Sequence, residues 1–293
     1  MSFHDFKRIL GICVITCLFK FSVFQAAERP YFVTYDHHLE EPGSLEFAIA
    51  PVWGIPKEGN QFVGAWTEFE YGVKAWWTTE FYLTGQSTQN DSTISTGFRW
   101  ENRFRLLPRE HWINPVFYIE YENSNEADKT LKEIVGFGPN ERLSEPNSHT
   151  REEKEQEIEL KLILSSDFKG WNISENFIAV KSLTSSETWN FGYAFGFNRP
   201  LALKARPEEC TFCAENFRLG AEFYGGLGNY YEFGPSGTCH FAALAAAWDL
   251  PNGTTFRISP TAGLTENSPK FLLRFGISHE IPRFGSMLKR MFR

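Results

Sequence analysis

Beyond residues 1–27 the chain contains no long run of uncharged apolar residues, and a membrane-spanning helix needs about 20 of them. That argues against a helical membrane protein. Cysteine is sparse: there are five in 293 residues, and Cys13 and Cys17 fall within residues 1–27. Too few remain for a disulfide framework or for a four-ligand zinc ribbon. Positive charge is not in excess, since 29 Lys and Arg stand against 36 Asp and Glu, a net charge of −7. This argues against a nucleic-acid surface as the main function. No His-x-Ser pair occurs. Residues i and i+2 share one face of a strand, so the simplest strand arrangement of a hydroxyl nucleophile beside its base is missing.

Aromatic residues, by contrast, are abundant: 29 Phe, 10 Tyr and 9 Trp, 16% of the chain. They mark strands and membrane interfaces more than a helical enzyme. Residues 61–84 show how they are spaced. Val63, Ala65, Phe69 and Tyr71 alternate with Glu68 and Glu70; after Gly72-Val73, Ala75, Trp77, Phe81 and Leu83 alternate with Lys74, Thr78 and Glu80. A period of two with a short Gly-containing connection is an antiparallel hairpin with one apolar and one charged face.

The same pattern recurs at 44–54, 93–106, 113–122, 156–165, 171–180, 188–198, 217–226, 239–248, 254–264 and 270–281. With the hairpin this predicts about twelve strands, mostly near the length of a tilted membrane-spanning β-strand, about 9–11 residues. With both ends in the periplasm, the periplasmic connections become 72–73, 107–112, 166–170, 199–216 and 249–253. The external ones become 55–60, 85–92, 123–155, 181–187, 227–238 and 265–269. Short inner turns and longer outer loops are the outer-membrane barrel pattern, with 199–216 as the exception. The stretch 123–155 reads as a long polar loop, in which residues 126–135 could form a short helix. A secreted soluble β-sandwich is the alternative, but its strands run about five or six residues.

Residues 1–27 read as a secretory signal: Lys7-Arg8, the apolar Ile9–Phe19, then the small Ala26-Ala27. Residues 28–43 read as a periplasmic lead-in segment, 44–281 as the barrel, and 282–293 as a basic C-terminal tail. The expected fold class is all-β, a transmembrane antiparallel up-and-down barrel.

Three stretches carry a family resemblance: His37-His38-Leu39-Glu40-Glu41-Pro42-Gly43-Ser44-Leu45-Glu46, Trp171-Asn172-Ile173-Ser174-Glu175-Asn176-Phe177, and Gly263-Leu264-Thr265 with Leu272-Leu273-Arg274-Phe275-Gly276. They resemble a family of bacterial outer-membrane β-barrels assigned to transport, near the barrels named for the MetA pathway of phenol degradation. The resemblance covers most of the chain after residue 27. It implies a Gram-negative outer membrane and the movement of small organic molecules. One departure is the tail 282–293, where such barrels often end on a strand with a terminal aromatic.

If the aromatic face meets lipid, the lumen receives Glu68, Glu70, Lys74, Glu80, Arg99, Glu101, Arg103, Glu120, Glu122, Glu157, Glu159, Lys161, Arg218, Glu222, Arg257 and Arg274. Acids and bases nearly balance, which argues against strong ion selectivity. The set reads either as a charge-lined channel for small solutes or as ion pairs that hold a small barrel shut. His240 is expected inside near Arg218 and Glu222, Cys239 outside, and Ser278-His279 on opposite faces, so no catalytic group is assigned. An outer-membrane lipid-modifying enzyme remains a weaker alternative; a plugged structural or adhesion barrel presenting 123–155 is the stronger one. Asp36-His37-His38 with Glu40 and Glu41 offers metal donors, but adjacent histidines without a scaffold make a weak site, and a solvated linker is preferred. Neither metal nor cofactor is expected. Cys210 and Cys213, in an oxidising compartment, are candidates for a local disulfide. The expected partners are outer-membrane lipid, small solutes and the barrel-assembly machinery, without nucleic acid.

Overall fold

Alternation along the chain becomes alternation across a wall. The computed structural model describes residues 30–138, 143–204 and 210–291; the expected signal segment 1–27 lies outside the described residues. Twelve strands follow in order: β1 (Leu45–Ile55), β2 (Phe62–Lys74), β3 (Trp77–Thr88), β4 (Thr93–Arg105), β5 (Asn114–Asn125), β6 (Lys154–Phe168), β7 (Trp171–Ser182), β8 (Asn190–Pro200), β9 (Phe217–Asn229), β10 (His240–Asp249), β11 (Thr254–Gly263) and β12 (Phe271–Ile281). Each pairs antiparallel with its sequence neighbour, and β1 pairs with β12, closing the barrel. Closure leaves no unpaired edge, which a sheet in lipid requires.

The outward residues are apolar and exposed, among them Ile49, Phe69, Phe81, Leu83, Trp100, Leu162, Phe177, Leu219, Leu244 and Ile277. At the end where β1 begins and β12 finishes, aromatic rings cluster into a girdle. Trp76, Trp77 and Phe104 stack on one another, Trp112 meets Phe168 at 5.1 Å, and Trp248 is flanked by Phe212, Phe217 and Phe256. Amphipathic rings at a strand end mark the membrane–water boundary. Among the described residues no helix is long and apolar enough to cross a membrane.

The connections at that end are short (75–76, 106–113, 169–170 and 250–253), apart from 201–216. In that longer one Cys210 and Cys213 are joined by a disulfide, and Phe212 between them stacks on Trp248 at 4.8 Å. The tail forms a short helix, α2 (Phe284–Met291), with Lys289 and Arg290 in its last turn.

Two stretches depart from expectation. Residues 30–44 are not a lead-in outside the barrel: Tyr31, Phe32, Val33, Thr34, Asp36, His37 and Glu40 are buried, and their partners are lumen side chains. Residues 126–135 form no helix. Leu131 has φ 50° and Gly136 φ 61°, left-handed values that interrupt helical winding. The stretch crosses the lumen without regular structure, and further along the connection a short helix, α1, spans Asn147–Thr150.

Candidate functional site: the occupied lumen

The inner wall of β12 and β1–β6 carries a row of glutamates in register. Glu280 faces Glu46, which faces Glu70, then Glu80, Glu101, Glu120 and Glu159, one from each successive strand. Like charges directly opposed on neighbouring strands are destabilising, so the row stands only with cations set against it. Arg103 supplies one set, meeting Glu70 at 2.5 Å and Glu101 at 3.4 Å and also pairing with Glu80. Lys161 meets Glu159 at 2.6 Å. Arg99 reaches Glu120 at 3.6 Å and Glu122 at 3.3 Å. Phenols add donors, with Tyr118 to Glu120 at 2.9 Å and Tyr82 to Glu101 at 3.1 Å.

The wall's own cations do not complete the set. The connection between β5 and β6 does, as a strap over 126–138. Lys132 places its ammonium 3.0 Å from Glu101 and 3.4 Å from Glu120, over the Tyr82 ring at 3.8 Å. Glu133 answers Arg99 at 3.0 Å and Lys161 at 2.9 Å. Burial pushes the Glu133 carboxyl up, but Lys161, Lys132 and Arg99 together outweigh it and hold the group down at about 2. Lys132 moves the other way. Burial lowers its affinity for a proton, yet Glu101, Glu133 and Glu120 hold the ammonium well above its ordinary value.

The strap is also fastened by its backbone. Lys129 N–H donates to Gln86 Oε1 at 2.6 Å, Gly136 N–H to Phe191 O at 2.9 Å, and Arg274 donates to Leu131 O. Gly64 lets it lie against β2, since a Cβ there would fall 2.9 Å from Thr130 Cα.

Residues 30–44 cross the lumen nearer the terminal end. Glu222 of β9 accepts three consecutive backbone N–H groups, from Phe32, Val33 and Thr34, at 2.9, 2.9 and 2.8 Å. Arg257 donates to Tyr31 O at 2.9 Å. Asn176 pairs with both backbone groups of Tyr35, at 2.6 and 2.8 Å, and Tyr35 OH donates to Glu101 at 2.9 Å. The walls of β7 and β8 facing this segment are small and neutral, with Ser174, Asn176, Ala194 and Asn198 buried there. Between segment and charged wall remains a cavity of about 120 Å³ lined by Glu46, Glu68, Glu70, Glu80, Arg103 and Lys132, among others.

Of the residues assigned to the lumen from sequence, Glu68, Glu70, Glu80, Arg99, Glu101, Arg103, Glu120, Glu159, Lys161, Arg218, Glu222, Arg257 and Arg274 are buried inside. Glu122 and Glu157, half-buried, stand in one register row with Arg99. Lys74 does not belong with them. The register shifts between Gly72 and Lys74, and Lys74 is exposed where β2 turns into β3. His240 does not meet Arg218 or Glu222. It sits beside Tyr193 OH at 3.1 Å and Thr238 Oγ1 at 2.8 Å, while Arg218 pairs with Asp249 at 2.6 Å. Cys239 points inward, buried, with Sγ 2.8 Å from Asn267 O. From Phe241 to Trp248, β10 is apolar on both faces, so alternation there says little about which side is in.

No protein-family model and no curated protein matches the chain. Among solved structures the fold recurs in bacterial outer-membrane barrels. The COG4313 outer membrane channel from Pseudomonas putida F1 matches with a TM-score of 0.52 at 11% identity, over 84% of this chain and 98% of that one. The NanC porin matches at 0.47 and 11% identity, over 81% and 100%. LpxR from Salmonella typhimurium matches at 0.40 and 8%, over 80% and 99%. At such identities the likeness is one of fold. With its closed strand order, apolar outer belt and aromatic girdle, the chain is an outer-membrane β-barrel.

Proposed function

We propose that this protein is a gated outer-membrane channel for small polar solutes, closed in the conformation described above, with the end where β1 begins and β12 finishes facing the periplasm. The observation that supports the reading best is the lumen itself. A charged wall encloses a cavity, and what fills the rest is two crossing segments rather than the wall's own side chains. Each segment is fastened by discrete hydrogen bonds and ion pairs outside the β-ladder, so either can leave with the strand pairing closed, the strap at the cost in stability of the Lys132 and Glu133 ion pairs. Solutes would then pass a row of carboxylates with Arg99, Arg103 and Lys161 set beside it, an arrangement that orients dipolar or zwitterionic molecules. The resemblance to barrels named for phenol degradation supports small organic solutes within this class. No catalytic step is assigned, and the partners in this reading are lipid, the passing solute and the assembly machinery.

Reconstitution into planar bilayers tests the proposal. A low basal conductance that rises when residues 30–44 are removed supports it; a barrel that conducts nothing with both segments removed overturns it. The same two segments favour a second reading, a permanently plugged structural barrel that displays 123–155 outside. Under that reading, removing the segments destabilises the barrel without permitting solute flux.

A further inference from the structure

The segment that crosses the lumen brings two histidines to the terminal mouth of the barrel. His37 is buried and His38 is half-exposed, their ring centroids 4.1 Å apart. The connection between β4 and β5 brings Glu110, exposed to the water outside. One donor atom from each of the three lies within 4.8 Å of the others.

The surrounding groups hold these rings. Ser165 Oγ is 2.8 Å from His37 Nδ1 and helps to set the orientation of that ring. His38 has a carboxylate on each side, with Asp36 Oδ1 3.2 Å from Nδ1 and Asp167 Oδ2 3.4 Å from Nε2. Ligation by either nitrogen displaces the carboxylate on that side and keeps the other, the arrangement that fixes the tautomer and raises the basicity of metal-bound histidine. The backbone is fixed as well. Arg103 donates to His38 O at 3.2 Å and Arg105 to His37 O at 3.4 Å, while His38 N–H donates to Asp36. The scaffold that the sequence alone did not reveal is therefore present.

We propose that His37, His38 and Glu110 form a binding site for a divalent transition cation of the zinc class, which fastens the lumen-crossing segment to the β4–β5 connection. Two neutral imidazoles and one carboxylate suit Zn²⁺ rather than Ca²⁺ or Mg²⁺, which take oxygen ligands. Tetrahedral zinc separates its donors by about 3.3 Å, and Glu110, exposed on the β4–β5 connection, is the donor with room to close on the two rings. A fourth position remains for water. The site itself is independent of whether the barrel conducts; its consequence for gating rests on the channel reading.

The test uses the full-length protein in detergent, stripped with chelator and titrated with Zn²⁺ by calorimetry. One equivalent should bind, E110Q should weaken binding by about tenfold or more, and the H37Q/H38Q double substitution should abolish it. Excess Ca²⁺ should not compete. Zn²⁺ should also slow hydrogen exchange at residues 31–39 in the wild type and not in E110Q, a readout that needs no conductance. Glu110 is exposed, so E110Q should fold normally even if the doubly substituted chain does not. Equal Zn²⁺ affinity in E110Q and wild type, or competition by Ca²⁺, would overturn the proposal. Loss of conductance control with zinc binding intact would instead count against the channel reading.

Discussion

Replacing Glu222 with Gln should release residues 30–44 from the lumen. The carboxylate accepts Phe32 N–H on one oxygen and both Val33 and Thr34 N–H on the other, all at 2.8–2.9 Å. Hydrogen bonds to a charged group contribute about 1.5–3 kcal/mol each, so the three together hold the segment by roughly 6 kcal/mol. Glutamine keeps one acceptor oxygen. In its better orientation it retains two neutral bonds, about 1 kcal/mol each, and sets its amide N–H₂ against the Phe32 N–H. The net loss is about 4 kcal/mol, close to a thousandfold in the docked-to-undocked ratio at about 1.4 kcal/mol per decade. Hydrogen exchange read by mass spectrometry on the folded barrel is the assay, because it reports local opening without global unfolding. Exchange at Phe32, Val33 and Thr34 should accelerate by two to three orders of magnitude, roughly, while β1–β12 remain protected. Unchanged protection of those three amides would refute the idea that Glu222 latches the segment.

Removing Lys132 with K132M leaves Glu101 and Glu120 without the ammonium that lies 3.0 and 3.4 Å from them. Breaking a buried pair on one side costs about 3–5 kcal/mol, so thermal unfolding should begin at a clearly lower temperature; an unchanged midpoint contradicts the account. The Glu133 carboxyl is held at about 2 against an ordinary 4.5. A depressed acid contributes stability above its unfolded value and loses it as pH falls towards its folded value. Strap protection should therefore weaken between pH 4.5 and about 2, by about 3 kcal/mol in all, and E133Q should lack that component of the pH profile. Burial pushes the Cys239 thiol up to about 11, against smaller opposing effects from Ser268 and Lys57. Maleimide should thus fail to label it at neutral pH until the barrel unfolds; rapid labelling of the folded protein would contradict its inward placement.

The strands were legible because two solvents impose opposite demands on alternate residues. Lipid selects Phe69, Phe81, Leu162 and Phe177 on one face, and the lumen selects Glu70, Glu80 and Glu159 on the other. Lys74 was misplaced because a bulge shifts register without a mark in the alternation. The segments that fill the lumen were not legible. Neither residues 30–44 nor 126–138 need a period, since each meets several strands once rather than one strand repeatedly. Their only signal is local: Lys132 and Glu133 form an adjacent pair of opposite charge, which a solvated loop also shows. A sequence lists the glutamates, but only the register sets Glu46, Glu70, Glu80, Glu101, Glu120 and Glu159 in one row. That row creates the demand for a further cation. The histidine pair was visible as donors, but the partner Glu110 lies more than seventy residues along the chain.

Single-channel conductance of the full-length barrel, compared with a variant lacking residues 30–44 and 126–138, tests the central claim most directly. The account predicts a mostly closed wild type and a variant that folds, inserts and conducts steadily. An inserted, folded variant that carries no current would contradict it.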